Sequence, residues 1–214
     1  MVKRFVEGSQ LPSDGEHLRW QYFSNKNQSD LLFKKAFKDD VNMDPFYLIR
    51  QYMAKCDTND VVNKELFIDM RYMMTDSVLM KVDKMSMASS MEVRVPLLDH
   101  VFVEFIASLP GNWKLKGFQT KQIFRSALEG ILPHNIVYRG KQGYSLPVKH
   151  LLRGQLKQYM SDLLNGSEII KENIDINYVN TMIAEHSSMK HNHNHVLWAL
   201  INVAIWGNKF LKNQ

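Results

Sequence analysis

The chain has 214 residues, of which 45% are hydrophobic and 23% are charged. This balance is typical of a folded globular domain and argues against a disordered chain. The formal charge is +5, but lysines and arginines are spread among acidic residues, so we expect no nucleic-acid partner. Cys56 is the single cysteine, which excludes an internal disulfide and a cysteine-based zinc site.

The sequence predicts neither a membrane span nor a secretory signal. The longest apolar run, from Val196 to Trp206, is interrupted by Asn202 and falls short of the ~20 residues that cross a bilayer. Residues 1–10 are charged and polar and lack the apolar stretch of a signal peptide. Because a single cysteine also fits a reducing compartment, we expect a cytoplasmic protein without a membrane partner.

Apolar residues recur at spacings of three and four along most of the chain, which predicts a mainly helical domain with few strands. A cap at Ser29 or Asp30 precedes the first predicted helix, and Pro45 marks the start of the second. We expect a single domain, a loop over residues 133–147, and poor order in residues 1–25. In chain order, the predicted helices cover residues 31–36, 46–53, 62–74, 77–91, 101–109, 119–129, 151–164, 178–186 and 194–211.

Charged residues interrupt the apolar pattern between residues 81 and 99, where Asp83, Lys84, Glu92, Arg94 and Asp99 stand among apolar neighbours. Buried charges must be paired, because leaving one unpaired has a large cost in free energy. The sequence therefore predicts a salt-bridge network in which Glu92 or Asp99 pairs with Arg94 and holds a helix to the following loop. A role in a binding pocket is the alternative interpretation.

Two glycines flank a lysine in the segment over residues 138–147. Gly140 and Gly143 allow the backbone to come close to a ligand, and Lys141 places an ammonium group in the same turn. Backbone N–H groups and an ammonium group together suit phosphate oxygens. Surface turns use the same residues, so the spacing alone leaves an ordinary turn as the alternative.

These two segments resemble the asparagine synthetase (glutamine-hydrolysing) family. The run Lys-Val-Asp-Lys-Met-Ser-Met-Ala-Ser-Ser-Met-Glu-Val-Arg-Val-Pro-Leu-Leu-Asp over residues 81–99 is similar to the signature Lys-x-Asp-Arg-x-Ser-Met-Ala-x-Ser-x-Glu-x-Arg-x-Pro-Phe-Leu-Asp. The run Arg-Gly-Lys-Gln-Gly-Tyr-Ser-Leu-Pro over residues 139–147 is similar to the loop Arg-x-Lys-Gln-Gly-Phe-x-x-Pro. The likeness extends over roughly residues 10–212, and Leu97 stands where the family usually has phenylalanine.

The resemblance implies an ATP-dependent ligase of asparagine biosynthesis with Mg²⁺ as a cofactor. A carboxylate substrate, aspartate or a related acid, attacks the α-phosphate of ATP to give an acyl-adenylate, and ammonia from a glutaminase domain then forms the amide. Lys141 and Asp76 are implied to be catalytic, although the sequence around Asp76 departs from the family's Tyr-Leu-Pro-acidic-acidic pattern. The glycines and charged motif residues are implied to contact the nucleotide (Gly140, Gly143) and to shape the substrate pocket or support the structure (Glu92, Arg94, Asp99).

The sequence also departs from the family in its glycines. Members of the family bind the pyrophosphate of ATP with a Ser-Gly-Gly-x-Asp-Ser loop, yet no two glycines are adjacent in this chain. Val2 also stands where the nucleophilic cysteine for glutamine hydrolysis would be. The resemblance thus implies the helical C-terminal portion of an ATP-pyrophosphatase-type (adenine nucleotide α-hydrolase-like) synthetase domain without its parallel-sheet ATP loop. Its implied partners are the missing ATP-loop and glutaminase regions, with a homodimer also possible. A non-catalytic remnant or interaction module with the same fold is the alternative.

Histidines are concentrated in a polar patch near the C-terminus, at positions 186, 191, 193 and 195. Alternating histidines in a loop could hold Zn²⁺ or Ni²⁺. Because no carboxylate or cysteine completes a defined site in the sequence pattern, we interpret the patch as a solvated polar loop and predict no metal.

Overall fold

A computed structural model describes residues 6, 24, 26–143 and 146–211 of the chain. Within this part the chain is mainly helical, which confirms the prediction from apolar spacing, and its strands form a two-stranded hairpin. The chain divides into two compact units: Pro45–Gln142 belongs to the first, and the described residues of Trp20–Asp44 and Gly143–Gln214 form the second. The predicted poor order of residues 1–25 concerns a segment almost wholly outside the described residues.

Most of the helices are short, and the longest single α-helix is the last one. In chain order, the elements are α1 (Lys26–Leu32), α2 (Lys35–Asp40), α3 (Tyr47–Met53), α4 (Val61–Ile68), a π-helical segment (Asp69–Leu79), α5 (Met80–Met87), a 3-10 turn (Pro96–Leu98), α6 (His100–Ser108), α7 (Gly111–Lys114), β1 (Leu115–Lys116), β2 (Gln119–Thr120), α8 (Gln122–Leu128), α9 (His134–Val137), α10 (Val148–Arg153), α11 (Lys157–Gly166), α12 (Glu168–Asn173), α13 (Ile176–Ser187) and α14 (Asn194–Phe210).

The second unit has a dense apolar core around α14, which packs against α10, α11, α12 and α13. Burying one such aliphatic side chain stabilises the folded state by roughly 1.5–3 kcal/mol, so this core dominates the stability of the unit. The fully buried members of the core are Leu152, Met160, Leu164, Ile170, Val179, Met182, Leu197 and Ala204.

Backbone hydrogen bonds tie the N-terminal part of the second unit to the junction between α12 and α13. The Lys34 N–H donates to the Asn173 carbonyl at 2.9 Å, and the Asp175 N–H donates to the Leu32 carbonyl at 2.8 Å. Asp175 also caps α13, because its carboxylate accepts from the N–H of Tyr178 at 3.1 Å. This pairing ends α1 at Leu32 and explains why the predicted helix over residues 31–36 is wrong.

The first unit is organised by one uninterrupted helical run over residues 61–87, which joins α4, the π-helical segment and α5. Asp60 caps the start of this run by accepting from the Asn63 N–H at 2.9 Å. Ile49 and Ile68 are each 2% exposed, but many apolar side chains of this unit lie on its surface. Phe118, beyond the left-handed Gly117 in the turn of the hairpin, is fully exposed.

Several predicted boundaries are confirmed, and others are wrong for identifiable reasons. The predicted helices over residues 46–53, 101–109, 178–186 and 194–211 correspond to α3, α6, α13 and α14. The predicted break between residues 74 and 77 is wrong because the π-helical segment carries the chain through it. The predicted helix over residues 151–164 is interrupted after Arg153, where Gly154 adopts a non-helical conformation.

Three short helices were missed by the sequence pattern: α9 lies within the predicted loop over residues 133–147, and α7 and α12 each lie between two predicted helices. All three are too short to show a clear apolar repeat. Among the helices of the described residues, none is long and apolar enough to span a bilayer.

Candidate functional site

Lys141, the predicted catalytic lysine, lies in an irregular exposed segment between α9 and α10. Within residues 26–143 and 146–211, its side chain makes no hydrogen bond or ion pair. The ammonium group therefore faces solvent, where a ligand can reach it. Tyr144 and Ser145 of the same motif lie outside the described residues.

No contact among the described residues requires glycine at the two positions beside Lys141. A Cβ atom added to Gly140 or to Gly143 would meet no other atom within 4 Å. Neither glycine adopts the left-handed backbone conformation that disfavours other residues. The space beside these two positions is therefore open to a ligand that approaches the backbone.

An aromatic anchor fixes the start of the lysine segment. The Tyr138 hydroxyl donates a hydrogen bond to Glu129, and the Arg125 guanidinium lies 5.8 Å from the centre of the tyrosine ring. The His134 ring is 4.5 Å away on the preceding helix, α9. The hydrogen bond to Glu129 raises the pKa of Tyr138, so the phenol stays protonated and keeps the bond at neutral pH. This anchor holds the backbone three residues before Lys141.

Asp76, the second predicted catalytic residue, is exposed in the π-helical segment. No hydrogen bond or ion pair joins its carboxylate to Lys141 or to another residue within the described part of the chain. Wide π-helical turns occur frequently at functional sites. The location of Asp76 is therefore compatible with binding, but within this chain it is not paired with Lys141.

The three charged motif residues are exposed, so the prediction that they are buried is wrong. Arg94 Nη2 lies 2.5 Å from Glu92 Oε1, as the sequence predicted, although the two side chains are 86% and 68% exposed. Both partners lie in the irregular segment after α5, so their ion pair does not hold a helix to the loop. Asp99 has a different role: its Oδ1 accepts from the Val101 N–H at 3.0 Å and caps α6.

The burial prediction failed because the apolar residues of this motif are exposed as well. Met91, Val93 and Val95 are 59%, 44% and 45% exposed, so the charges have no apolar interior around them. The alternation of charged and apolar residues in a sequence does not reveal which side of the segment packs against the rest of the protein, or whether either side does.

The first unit contains an apolar cavity of about 610 Å³ that none of the predicted site residues lines. Its walls come from α4, the start of the π-helical segment, the 3-10 turn, α6, α7, α8 and the hairpin, and its charged members are Glu65, Asp69, Lys114 and Lys121. A cavity of this size with a few charged groups in its lining resembles a small-molecule pocket. Its apolar wall is formed by Val61, Val62, Leu66, Leu97, Phe102, Ile106, Leu115, Ile123 and Phe124.

A buried polar network supports one wall of this cavity. Lys114 is only 8% exposed and donates hydrogen bonds to Asn63 Oδ1 and, at 3.2 Å, to the Ala107 carbonyl. Asp60 Oδ2 accepts from the Gly111 N–H at 2.9 Å. Hydrogen bonds from the Asn63 and Gly111 backbones lower the pKa of Asp60, whereas burial lowers the pKa of Lys114.

This network also explains a glycine that the sequence did not single out. A Cβ atom on Gly111 would lie 2.2 Å from Asp60 Oδ1 and 2.7 Å from Val62 Cβ. Only glycine permits this close approach between the start of α7 and the cap of α4. The signals available in the sequence were an aspartate three residues before Asn63 and a Pro-Gly pair ahead of Lys114.

The histidine patch differs from the solvated loop that was predicted. His186 is fully buried in the last turn of α13, and burial lowers its pKa, which favours a neutral ring. Its Nδ1 accepts from the His193 N–H at 3.2 Å, and its Nε2 lies 3.3 Å from the Lys149 carbonyl. The buried ring thus positions the backbone that leads into α14.

A carboxylate that the sequence interpretation overlooked joins two of the other histidines. Glu185 Oε2 lies 2.8 Å from His193 Nε2 and 3.5 Å from His191 Nδ1, and Glu185 Oε1 lies 3.2 Å from Lys190 Nζ. Hydrogen bonds from His193 and Lys190 lower the pKa of Glu185, so the carboxylate is ionised at neutral pH. Glu185, His191 and His193 together offer ligand atoms that all lie within 4.8 Å of one another.

The family model described as asparagine synthase matches residues 3–208 of the chain. This chain belongs to the asparagine synthase family. The match includes both motif segments, over residues 81–99 and 138–147, and it confirms the family resemblance recognised in them. No solved structure matched the chain.

Curated relatives agree with the asparagine synthase family. "Asparagine synthetase [glutamine-hydrolyzing] 1" of Bacillus subtilis is 28% identical over 191 residues, which cover 88% of this chain and 30% of that protein. A "Putative asparagine synthetase [glutamine-hydrolyzing]" of Mycobacterium tuberculosis is 32% identical over 72% of this chain and 24% of its own length. "Asparagine synthetase [glutamine-hydrolyzing] 3" of B. subtilis is 44% identical over 40% of this chain and 14% of its own length. The chain thus spans less than a third of these relatives.

Membership of the asparagine synthase family extends over both compact units. The apolar cavity of the first unit and the histidine cluster of the second both lie within the matched residues. The exposed Lys141 lies at the end of the first unit, and Gly143 begins the second.

Proposed function

We propose that this chain contributes the helical segment of an ATP-dependent, amide-forming ligase of the asparagine synthetase type. The proposed reaction activates the carboxylate of aspartate, or of a related acid, as an acyl-adenylate and then transfers ammonia to it. The observation that carries the proposal is the asparagine synthase match over nearly the whole chain. The exposed ammonium group of Lys141 within the family's loop motif supports it.

Lys141 is proposed to stabilise the negative charge that develops on the α-phosphate and then on the tetrahedral carbon. A compact ammonium group suits this role, because it can follow a charge that moves during the reaction. Gly140 and Gly143 are proposed to let the backbone approach the phosphates, since no contact within the chain demands glycine there. The Tyr138 anchor would then limit how far this loop can move from its position.

Asp76 is proposed to act in catalysis with Lys141, and Glu92, Arg94 and Asp99 are proposed to shape the substrate side of the site or support its structure. Asp76 offers an exposed carboxylate from a π-helical turn, and the pair of Glu92 and Arg94 presents both charges to solvent. Asp99 would act indirectly, by holding the start of α6. Mg²⁺, which would offset phosphate charge, is proposed to enter with ATP, because the one metal-compatible cluster among the described residues is histidine-rich and suits a softer cation.

The proposed enzyme would be a cytoplasmic amidotransferase in its complete form. Its fold would be that of an ATP-pyrophosphatase-type synthetase, with the phosphate-gripping glycine loop and the glutaminase supplied by regions that this sequence does not contain. Self-association into a homodimer is a further proposal that the exposed apolar side chains of the first unit support.

The test measures amide formation with ATP, Mg²⁺ and aspartate, using ammonium as the nitrogen donor so that no glutaminase is needed. The chain is assayed alone and together with the polypeptide that supplies the glycine loop. We expect no turnover from the chain alone, and asparagine, AMP and pyrophosphate from the combination. With ¹⁸O-labelled aspartate carboxylate, one label should appear in AMP, because the carboxylate oxygen attacks the α-phosphate.

Three results would contradict parts of this proposal. Formation of ADP and phosphate, or AMP without label, would rule out the acyl-adenylate. Turnover by the chain alone would rule out its dependence on a separate glycine loop. Failure of the combination to form an amide from aspartate or other carboxylic acids would favour the second candidate function.

The second candidate is a non-catalytic interaction module that retains the family's helical fold. The observation that favours it is the cavity of about 610 Å³, which is lined mainly by apolar side chains and lies away from every motif residue except Leu97. Such a surface can receive an apolar side chain of a partner. Substitution of Phe124 by aspartate should then abolish partner binding, whereas in the ligase it should leave nucleotide contacts at Lys141 unchanged.

A further inference from the structure

We propose that Glu185, His191 and His193 form a binding site for a divalent transition-metal ion, of which Zn²⁺ is the best match. The site lies where α13 ends and α14 begins, within the second unit. It is independent of the proposed ligase reaction, because it involves neither of the family motifs. Its three side chains come from a single nine-residue stretch of chain.

The spacing of the ligand atoms suits a small cation. A tetrahedral zinc ion with bonds of about 2.0–2.1 Å holds its ligand atoms roughly 3.3 Å apart. Glu185 Oε2 already lies 2.8 Å from His193 Nε2 and 3.5 Å from His191 Nδ1. Insertion of an ion therefore needs shifts of only a few tenths of an ångström at these two pairs, and side-chain rotation can supply them.

The backbone that carries the ligands is held in place without a metal. The Ser188 N–H donates to the Ala184 carbonyl at 2.9 Å, and the His191 N–H donates to the Glu185 carbonyl at 3.3 Å. Met189 reverses the chain in the left-handed conformation, at φ 63°. Together with the buried His186, which accepts from the His193 N–H, these contacts preorganise the site, so less conformational entropy is lost on binding.

Surrounding groups can orient the ligands as outer-shell residues do in metal proteins. Gln28 Nε2 lies 3.5 Å from His193 Nδ1, and its carboxamide can turn so that the oxygen accepts a hydrogen bond from the Nδ1–H group. That tautomer frees the Nε2 lone pair for a metal. Lys190 competes for Glu185 through Oε1, but its side chain is 67% exposed and can swing into water when a cation binds at Oε2.

The donor set decides the class of ion. Two imidazoles and one carboxylate favour Zn²⁺ and its neighbours in the first transition row over Mg²⁺ and Ca²⁺, which prefer oxygen ligands. The side chains of His191, Glu185 and His193 are 60%, 23% and 14% exposed, so one side of the site opens to solvent and leaves room for a water ligand. A bound ion would cross-link the last turn of α13 to the loop that leads into α14.

The experiment is a calorimetric titration of the untagged full chain with ZnCl₂, with Co²⁺ absorption as a spectroscopic readout. We expect about one ion per chain and a visible band of tetrahedral Co²⁺. His191→Ala is the sharpest variant, because this side chain is 60% exposed and its contacts among the described residues are with its two partner ligands, so the substitution should not affect folding. It and Glu185→Gln should weaken zinc binding by roughly tenfold or more. His150→Ala, an exposed histidine of the same unit outside the cluster, is the matched control and should bind zinc normally.

Zinc should also raise the Tm of the wild-type chain and of His150→Ala but not of His191→Ala. A millimolar excess of Mg²⁺ should not displace zinc. The proposal is overturned if the wild-type chain binds no zinc at micromolar concentrations, if His191→Ala binds as tightly as wild type while retaining its helical circular dichroism, or if Mg²⁺ competes on equal terms. None of these experiments measures ligase activity, so the zinc proposal can fail or succeed independently of the proposed function.

Discussion

Gly207 lies at the closest approach between α12 and α14, in the best-packed part of the chain. It is buried, and a Cβ atom at this position would lie 2.6 Å from Ile169 Cγ2 and 3.2 Å from Ile169 Cβ. We therefore predict that Gly207→Ala destabilises the second unit. In an unconstrained helix the same substitution is stabilising, so the sign of the effect tests the packing directly.

Two opposing terms set the magnitude. Alanine in place of a helical glycine gains roughly 1 kcal/mol, because less backbone entropy is lost on folding. Against this, overpacking a well-filled core typically costs about 1–3 kcal/mol. Rotation of Ile169 can move Cγ2 but not Cβ, which is fixed to the backbone of α12, so the two helices must separate slightly. The expected net loss is about 1 kcal/mol, or roughly 2–4 °C in Tm for a chain of this size.

Urea and thermal unfolding, followed by circular dichroism, measure this loss. Gly166→Ala is the matched control, because a Cβ atom at the end of α11 meets nothing within 4 Å, and it should leave stability unchanged or slightly raised. Ile169→Ala removes Cγ2 and should reduce the penalty, which gives a favourable coupling of about 1 kcal/mol in a double-mutant cycle. A Gly207→Ala protein as stable as Gly166→Ala, or more so, would refute the predicted clash between the helices.

Three further predictions concern the first unit and the proposed reaction. In the complete enzyme, Lys141→Ala should lower amide formation by roughly a hundredfold or more with little change in Tm, and Lys141→Arg should not restore it; near-normal turnover would exclude a catalytic role. Hydrogen bonds lower the pKa of Asp60, so the ionised carboxylate stabilises the folded state fully above the unfolded pKa, and this stabilisation is lost as pH falls through the folded pKa. The difference in free energy of unfolding between wild type and Asp60→Asn should therefore shrink as pH is lowered from about 5 to about 2. A difference in free energy of unfolding that stays constant with pH would contradict this role of Asp60. The isolated chain should self-associate through its exposed apolar side chains, and light scattering that shows a monomer at all concentrations would oppose that expectation.

Long amphipathic helices were predictable from the sequence because their apolar repeat is strong and local. The repeats at residues 101–109 and 194–211 identified α6 and α14 within a residue or two. Boundaries set by tertiary contacts were not predictable: α1 ends at Leu32 because the adjoining backbone pairs with Asn173 and Asp175, more than 100 residues later. A repeat in one segment carries no information about such a distant partner.

The candidate site was predictable only where a residue's role depends on its own motif. The resemblance selected Lys141, which the structure places in an exposed irregular segment, and its catalytic role stays a prediction. The burial of Lys114 depends instead on how separate elements pack, and the contact of Glu185 with two histidines depends on the chain reversal at Met189. Glu185 precedes His186 directly, but on a helix these neighbours face different directions, one into the core and one towards the loop.

The π-helical segment over Asp69–Leu79 changes how this part of the chain should be aligned with its relatives. A π-helix holds more residues in each turn than an α-helix, so its 11 residues rotate the following side chains backwards by roughly half a turn relative to an α-helix. Ile68 before the segment is buried, whereas Val78 and Val82 are 41% and 40% exposed. The insertion or deletion of one residue here can be accommodated by widening or narrowing a helical turn. The acidic residue of a relative that is equivalent to Asp76 should therefore be identified by its angular position around the helix axis and not by counting residues.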